Sequence, residues 1–569
     1  MRVPNPMSSR TTSPISAVAR RVPSAERELL SAITVALAMF GIALAARLWL
    51  LDGPPHIDEL YTVLAAEGWL AEGVPRIADG LYPRAWLYTA FMAQWFDWFG
   101  HGIESARVPS AIAGALLVPM VFLWTRAVAG APAAWLAALL TILSPLAILV
   151  SQFARFYALH ALLFWLAATA VYLAAEPRRR LHSRLVAAAL AVAFGALCVH
   201  LQPVTVIGLF GIGAWLAGAV IAPWLWQHRQ HRLLLGGSLV AALAIGVVLL
   251  VAAWSSGLLA AAVKEYRGVP LHLADRQNEV WYYSDILVAH YPSLWGLFPL
   301  AALLAVAHRP RPAAFCCTIF ITTFVLLSLA GMKTERYLVF ALPFLFVVWG
   351  IALAAAWPWL RAGAIAVTDR AARSLAPGLP RRPTRSALLA LTVVFLLVVH
   401  KATATMLLVP LGRRVPDPAP KHDWTEARTR LAPDLESASV VLTGWELHTL
   451  YYLGRFDMTL SASRLSEIAD PHEFGIDPRT GRPVISRADS VALVMDCFPD
   501  GLVVVNPEYW RDEEELNNEM ANMIEARATP IELPGPLGML AFRWRNASSE
   551  EPPAACATIP GFDAPAATD

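Results

Sequence analysis

The sequence predicts an α-helical polytopic membrane protein carrying a small α/β domain near its C-terminal end. Three observations predict it. Hydrophobic residues make up 57% of the 569 positions and charged residues only 15%, against roughly 25% charged in a soluble domain. About eleven stretches are long enough to span about 30 Å of hydrocarbon. From about residue 415 the composition turns polar, and short β-like runs alternate with helical ones. The net charge of +2 makes no case for nucleic-acid binding.

Residues 1–29 contain Arg2, Arg10, Arg20, Arg21 and Arg27 among Ser and Pro, and read as a disordered basic cytoplasmic arm. No small-residue cleavage site follows the next apolar run, which reads as a retained first helix and not a signal peptide. The expected spans are 30–50, 107–127, 132–150, 154–175, 185–201, 204–223, 235–254, 293–307, 313–331, 337–357 and 387–409. The run 293–307 is short, and merging or splitting one pair changes the count. With the N-terminus inside, the cytoplasmic connections hold Arg178, Arg179, Arg180, Arg184, Arg229, Arg232, Arg309 and Arg311, and six arginines from Arg361 to Arg385. With the arm, that is about twenty basic residues inside against about nine outside, as the positive-inside rule asks. Loops 51–106 and 255–292, and everything past about 410, then lie outside.

Within the first outer loop, Glu59–Leu70 has helical periodicity. The stretch Ala85–Phe99 is apolar but too short to span, and reads as a helix lying in the interface. Residues 30–410 form the membrane domain and 411–546 an extracytoplasmic α/β domain. Strands are expected at Ser439–Thr443, Val491–Met495, Leu502–Val505 and Leu540–Trp544, with a helix over Arg511–Ala526. The Ala/Pro-rich tail 547–569 is expected to be disordered. Cys198, Cys316 and Cys317 sit in apolar runs as small fillers. Cys497 and Cys556 fall in the polar part, and spacing alone does not decide whether they pair. No CxxC or Cys/His cluster argues for zinc.

Four places offer chemistry. Asp58 and Glu59 follow the first span. Adjacent helical side chains do not share a face, so one can act as a general base while the other holds substrate, a cation or a backbone amide. The competing reading is two solvated loop acids. In the Ser151–Tyr157 segment, Arg155 offers a planar fork suited to phosphate oxygens, against simple snorkelling to headgroups. Lys333 and Arg336 are three residues apart and can bracket one anion, against a salt bridge with Glu335 or lipid anchoring. His200 and Gln202 end the fifth span, where a hydrogen-bonded interfacial histidine is the plainer account. Tyr82 and Arg84 in the first loop are weaker signals. All of these fall on one membrane face at one depth, where a lipid-linked phosphate would sit. A hydroxyl attacking an anomeric carbon needs a base, and a departing phosphate needs positive charge already in place.

Residues 30–360 also resemble the GT-C membrane glycosyltransferases that use polyprenyl-phosphate sugars, such as protein O-mannosyltransferases and lipid A aminoarabinose transferases. The resemblance rests on Asp58-Glu59 with Tyr61 and an interfacial helix, Arg107-Val108-Pro109-Ser110, Ser151-Gln152-x-Ala154-Arg155-x-Tyr157-x-Leu159, and Arg336-Tyr337 before Pro343. It implies inverting transfer of a hexosyl or pentosyl group from a polyprenyl-phosphate carrier to a glycan, lipid or protein hydroxyl at the outer face of the plasma membrane. Asp58 would deprotonate the acceptor, and Arg155, Lys333 and Arg336 would hold the lipid phosphate. Glu59, Tyr82, Arg84, Tyr157, His200 and Gln202 are the further substrate-binding candidates. Some relatives have an acid where Tyr157 stands, which leaves a divalent metal requirement open; no other cofactor is implied. The alternatives are a transporter or flippase for lipid-linked sugar and a non-catalytic membrane scaffold. High Ala, Arg and Pro fit a GC-rich bacterial genome.

Overall fold

In hydrocarbon every backbone polar group needs a partner within its own segment, so apolar runs of this length become helices. The computed structural model describes residues 24–49, 51–228, 279–375, 424–463, 474–513, 515–533, 538–546 and 554–560, with scattered positions between 230 and 257. Seven described helices are long and apolar enough to cross a membrane: Leu30–Leu48, Ile103–Ala129, Tyr157–Ala174, Leu181–Leu201, Thr205–Gln227, Pro310–Leu329 and Glu335–Trp359. The pair Ala131–Ile142 and Pro145–Ser151, bent by 57°, is a broken span, which brings the number to eight, or a re-entrant loop. The break has a local cause. Pro145 lacks an N–H, and Ser144 caps the new helix by accepting from Ala147 N (3.2 Å).

Of the eleven expected spans, 293–307 is a helix of 11 residues, Phe298–His308. The span 235–254 is described only at scattered positions, and 387–409 lies outside the described residues. The first helix begins at Ser24, earlier than expected; residues 1–23 lie outside the described residues. Small residues let the spans approach closely: a β-carbon on Gly350 would stand 2.5 Å from the Ala133 carbonyl oxygen.

The first outer loop holds helix Ile57–Glu72, a hairpin of β1 (Arg76–Ile77) and β2 (Gly80–Leu81), and helix Trp86–Phe99. The last has two apolar faces. Tyr88, Met92 and Phe96 are buried, while Leu87, Phe91 and Trp98 are exposed, as an interfacial helix requires.

The C-terminal part is a seven-stranded sheet built from β3 (Val440–Thr443), β4 (Met458–Leu460), β5 (Phe474–Ile476), β6 (Pro483–Ile485), β7 (Asp500–Val505), β8 (Thr529–Pro530) and β9 (Leu540–Arg545). The order is β5-β6-β4-β3-β7-β9-β8. The centre, β6-β4-β3-β7, is parallel and both edges are antiparallel. Three expectations are corrected here. Residues 491–495 are helical, within Ala488–Cys497, because Val491, Val494 and Met495 bury one face at helical spacing. The helix expected from Arg511 begins at Asn518, where Asn517 caps it through Met520 N (3.0 Å). Residues 554–560, inside the expected tail, are ordered into the domain: Cys556 is buried and bonded to Cys497. Helix Glu446–Leu453 docks on the first loop, with Leu447 in one apolar cluster with Leu60, Tyr61, Leu64, Ile77 and Tyr82.

Candidate active site at the first outer loop

The site begins with a helix cap. His56 accepts from Asp58 N through Nδ1 (3.1 Å), and Glu59 Oε2 accepts from His56 N (2.9 Å), the two halves of a capping box. The cap points Asp58 and Glu59 in different directions.

Glu59 turns inward and is 1% exposed. Its Oε1 accepts from Arg107 Nε (2.8 Å) and Ala154 N (2.7 Å), and its Oε2 from Arg107 Nη2 (2.7 Å) as well as His56 N. Arg107 also donates to the carbonyls of Leu51, Gly53 and Pro54. Every lone pair of Glu59 is thus used inside the protein, so the expectation that it binds substrate is corrected. It joins helix Ile57–Glu72 to helix Ile103–Ala129 and to the turn at Ala154.

Asp58 faces the other way, with its side chain 23% exposed. Arg336 Nη1 donates to its Oδ2, and Arg155 Nη2 lies 3.6 Å from its Oδ1. Burial pushes the Asp58 carboxyl up, but the Arg155 and Arg336 guanidiniums outweigh it and hold the group down at about 2. Burial also pushes the neighbouring His56 imidazole below its ordinary value, so it is neutral at pH 7.

Arg155 is 2% exposed. Its Nη1 donates to Thr62 Oγ1 (3.1 Å) and its Nη2 to the Tyr82 hydroxyl (2.8 Å), while its Nε is buried with no hydrogen-bond partner among the described residues. Ser110, one helical turn from Arg107, donates to the Arg155 carbonyl (2.8 Å). The Arg107-x-x-Ser110 spacing therefore sets two parts of the site from one helix face. Arg336 lies over the rings of Phe153 and Tyr157 and donates to Thr334 Oγ1. Arg84 donates to Gln202 Oε1 (2.9 Å) near the phenols of Tyr82, Tyr157 and Tyr337. The Gln202 amide nitrogen is buried with no hydrogen-bond partner among the described residues.

Two expected residues serve elsewhere. His200 accepts from Leu87 N (3.4 Å) and meets the Trp86 ring edge-on, supporting the start of the interfacial helix. Lys333 donates to the Ala330 carbonyl (2.5 Å) and feels the charge of Glu279. Sequence reasoning missed Arg107 and His56 as organisers of the site. The signal was present in the His56-x-x-Glu59 cap pattern and in the i, i+3 pair Arg107 and Ser110.

A cavity of about 450 Å³ opens beside the cluster, lined by His56, Leu149, Val150, Phe153, Tyr282, Thr334, Glu335 and Arg336. Among the described residues no three His, Cys, Asp or Glu side chains gather to hold a metal ion. The carboxylate of Asp58 is flanked by guanidiniums, which repel a cation, so its surroundings do not fit a divalent metal.

No protein-family model matches the chain, and no curated protein sequence matches it. Solved structures do. ArnT from Cupriavidus metallidurans bound to undecaprenyl phosphate superposes with a TM-score of 0.57 at 17% identity, covering 91% of this chain and 98% of that one. Its apo state gives a TM-score of 0.55 at 16% identity over the same shares. The apo oligosaccharyltransferase of Archaeoglobus fulgidus gives 0.50 at 13% identity, covering 74% of this chain and 64% of that one. At these identities the likeness speaks for the architecture: this multi-pass membrane chain shares the fold of ArnT.

Proposed function

We propose that the chain is an inverting glycosyltransferase that moves a sugar from a polyprenyl-phosphate carrier to an acceptor hydroxyl on the extracytoplasmic face of the membrane. The observation that carries this is the charge balance around Asp58. Arg155 and Arg336 converge on Asp58, two positive charges against one negative. Glu59 and Arg107 cancel one another and His56 is neutral. The two guanidiniums exceed the carboxylate by one positive charge, which favours an anion beside them. The phosphodiester of a lipid-linked sugar brings one negative charge, and the departing lipid phosphate approaches two. Once Asp58 takes the acceptor proton its charge is gone and both guanidiniums face the phosphate, so the site suits the leaving group better than the donor, the differential binding that lowers a barrier. The cavity beside Arg336, with Leu149, Val150 and Phe153 in its wall, supports an apolar chain beside a charged headgroup.

In this reading the acceptor oxygen attacks the anomeric carbon from the face opposite the phosphate. The carbon–oxygen bond to phosphate breaks, its electron pair stays on the phosphate, and the hydroxyl proton passes to Asp58. Asp58 is a weak base while it holds both arginines. As the phosphate draws them away, the carboxylate loses its partners and becomes a stronger base.

The outer placement is supported by the arginines at the opposite helix ends, Arg178–Arg180, Arg184, Arg309 and Arg311. The Cys497–Cys556 bond supports it too, because such bonds persist in oxidising compartments. The test is mass spectrometry of envelope glycans and glycoproteins from cells with the wild-type chain or Asp58→Asn, paired with undecaprenyl monophosphate binding by the purified protein. The expected result is one glycan modification that disappears in the variant. Identical envelopes, together with no phosphate binding, defeat the reading.

A further inference from the structure

The C-terminal domain touches the site through two hairpin tips. Residues 477–482 join β5 to β6 in an antiparallel hairpin. The buried Asp477 closes this turn: its carboxylate accepts from Arg479 N (3.0 Å), Nε (3.0 Å) and Nη2 (3.1 Å), and its carbonyl from Gly481 N (2.7 Å). The tip rests on the β1–β2 tip of the first membrane loop. Asp79 N donates to the Thr480 carbonyl (2.9 Å), Leu81 N to the Pro478 carbonyl (3.3 Å), and Arg482 Nε lies 2.8 Å from the Asp79 carboxylate. A β-carbon on Gly80 would fall 2.5 Å from the Arg479 carbonyl carbon, and one on Gly481 2.5 Å from that of Asp79. The two backbones touch only because both positions are glycine.

This contact leads directly to the buried cation. Leu81 is followed by Tyr82, whose hydroxyl is one of two hydrogen-bond acceptors of the Arg155 guanidinium among the described residues. Tyr61 stacks on Tyr82 (4.9 Å between centroids, 14° apart), and the Arg479 guanidinium lies over the Tyr61 ring at 5.5 Å. A run of direct contacts, Arg479 to Tyr61 to Tyr82 to Arg155, thus joins the C-terminal domain to the site.

We propose that the 477–482 tip is a positioning element: by holding the β1–β2 hairpin and Tyr61, it keeps Tyr82, and through it Arg155, oriented to receive an anion. This rests on the reading that Arg155 receives the carrier phosphate. Arg479 touches no substrate and acts through Tyr82.

The test uses the full-length protein in lipid nanodiscs, with undecaprenyl monophosphate as the probe in titration calorimetry. Tyr82→Phe removes a hydrogen bond from a charged donor and weakens binding about tenfold. Arg479→Ala weakens it by several-fold, Arg479→Lys restores most of the loss, and Arg479→Ala adds nothing in the Tyr82→Phe background. Independent, additive losses overturn the proposal, because a merely structural contact would not be silenced by removing the Tyr82 hydroxyl. Amide exchange supplies an arm that needs no ligand. In Arg479→Ala it accelerates in both 76–84 and 152–157; acceleration confined to 76–84 also overturns the proposal. Arg336→Gln separates the two levels. If that variant binds the probe as wild type does, the phosphate reading falls and the exchange arm alone judges the mechanical link. If it loses binding while Arg479→Ala keeps full affinity, only the positioning role falls.

Discussion

Replacing Asp58 by Asn should tighten the binding of carrier phosphate while abolishing turnover. Asp58 is the internal anion of the site: Arg336 donates to it directly, and Arg155 lies 3.6 Å away. A phosphate must displace this carboxylate from both guanidiniums. A carboxyl held at about 2 instead of its ordinary 3.8 has its charged form favoured by roughly 2.5 kcal/mol. Burial opposes this shift, so the arginines' own attraction for the carboxylate is at least that large. The Asn carbonyl still accepts one hydrogen bond from Arg336, so roughly half of that figure, about tenfold in affinity, is the expected gain. The assay is calorimetric titration of undecaprenyl monophosphate into nanodiscs at pH 7, with wild type and Asp58→Asn side by side. A generic loss of structure would weaken binding, so the sign of the change is diagnostic. Equal or weaker binding by the variant would show that phosphate and Asp58 do not compete for the same guanidiniums, and the mechanism built on that competition would be refuted.

Other consequences follow from the same geometry. Glu59→Gln leaves Arg107 buried without its counter-charge and should cost about 3 kcal/mol or more in stability, read as a lower thermal midpoint with matched loss of all functions. A variant that melts like wild type but no longer binds phosphate would place Glu59 at the ligand. For pH, the depressed carboxyl of Asp58 means its ion pairs contribute fully above its ordinary 3.8 and are lost only as pH falls toward about 2. Between pH 5 and 8, then, the binding of a phosphate monoester should strengthen with its own second ionisation near about 6, and the inflection should persist in Asp58→Asn; its disappearance would assign it to the protein. The Cys497–Cys556 bond spans 59 residues, a loop whose closure contributes up to about 4 kcal/mol in the chain-entropy account. Cys556→Ser should make the C-terminal domain protease-sensitive and free Cys497 for a membrane-impermeant maleimide added to intact cells. Labelling only after cell lysis would put the domain on the cytoplasmic side.

How much of this was legible in the sequence depended on the range of the interaction concerned. Apolar runs and the first-loop helices follow from local pattern, and Ile57–Glu72 and Trp86–Phe99 lie where periodicity placed them. The union of Asp58, Arg155 and Arg336 was also foreseeable, because membrane topology brings distant segments to one face and one depth. What stayed hidden was which member of an acidic pair would be consumed by the protein itself. Asp58 and Glu59 differ by one residue and about 100° of helix, and the inward turn of Glu59 is fixed by partners on other segments, Arg107 and Ala154, together with its bond to His56 N. Val491–Met495 misled for a related reason: a short apolar run is equally a strand or one face of a buried helix, and the neighbouring sheet chose the helix. Cys556 illustrates the third case. Its surroundings read as tail, yet a single covalent bond to Cys497 draws it into the core. The tip-to-tip contact of Gly80 with Gly481 was beyond reach for the same reason in stronger form. Each glycine looks like an ordinary turn residue until two hairpins, some four hundred positions apart along the chain, meet with no room for a β-carbon between them.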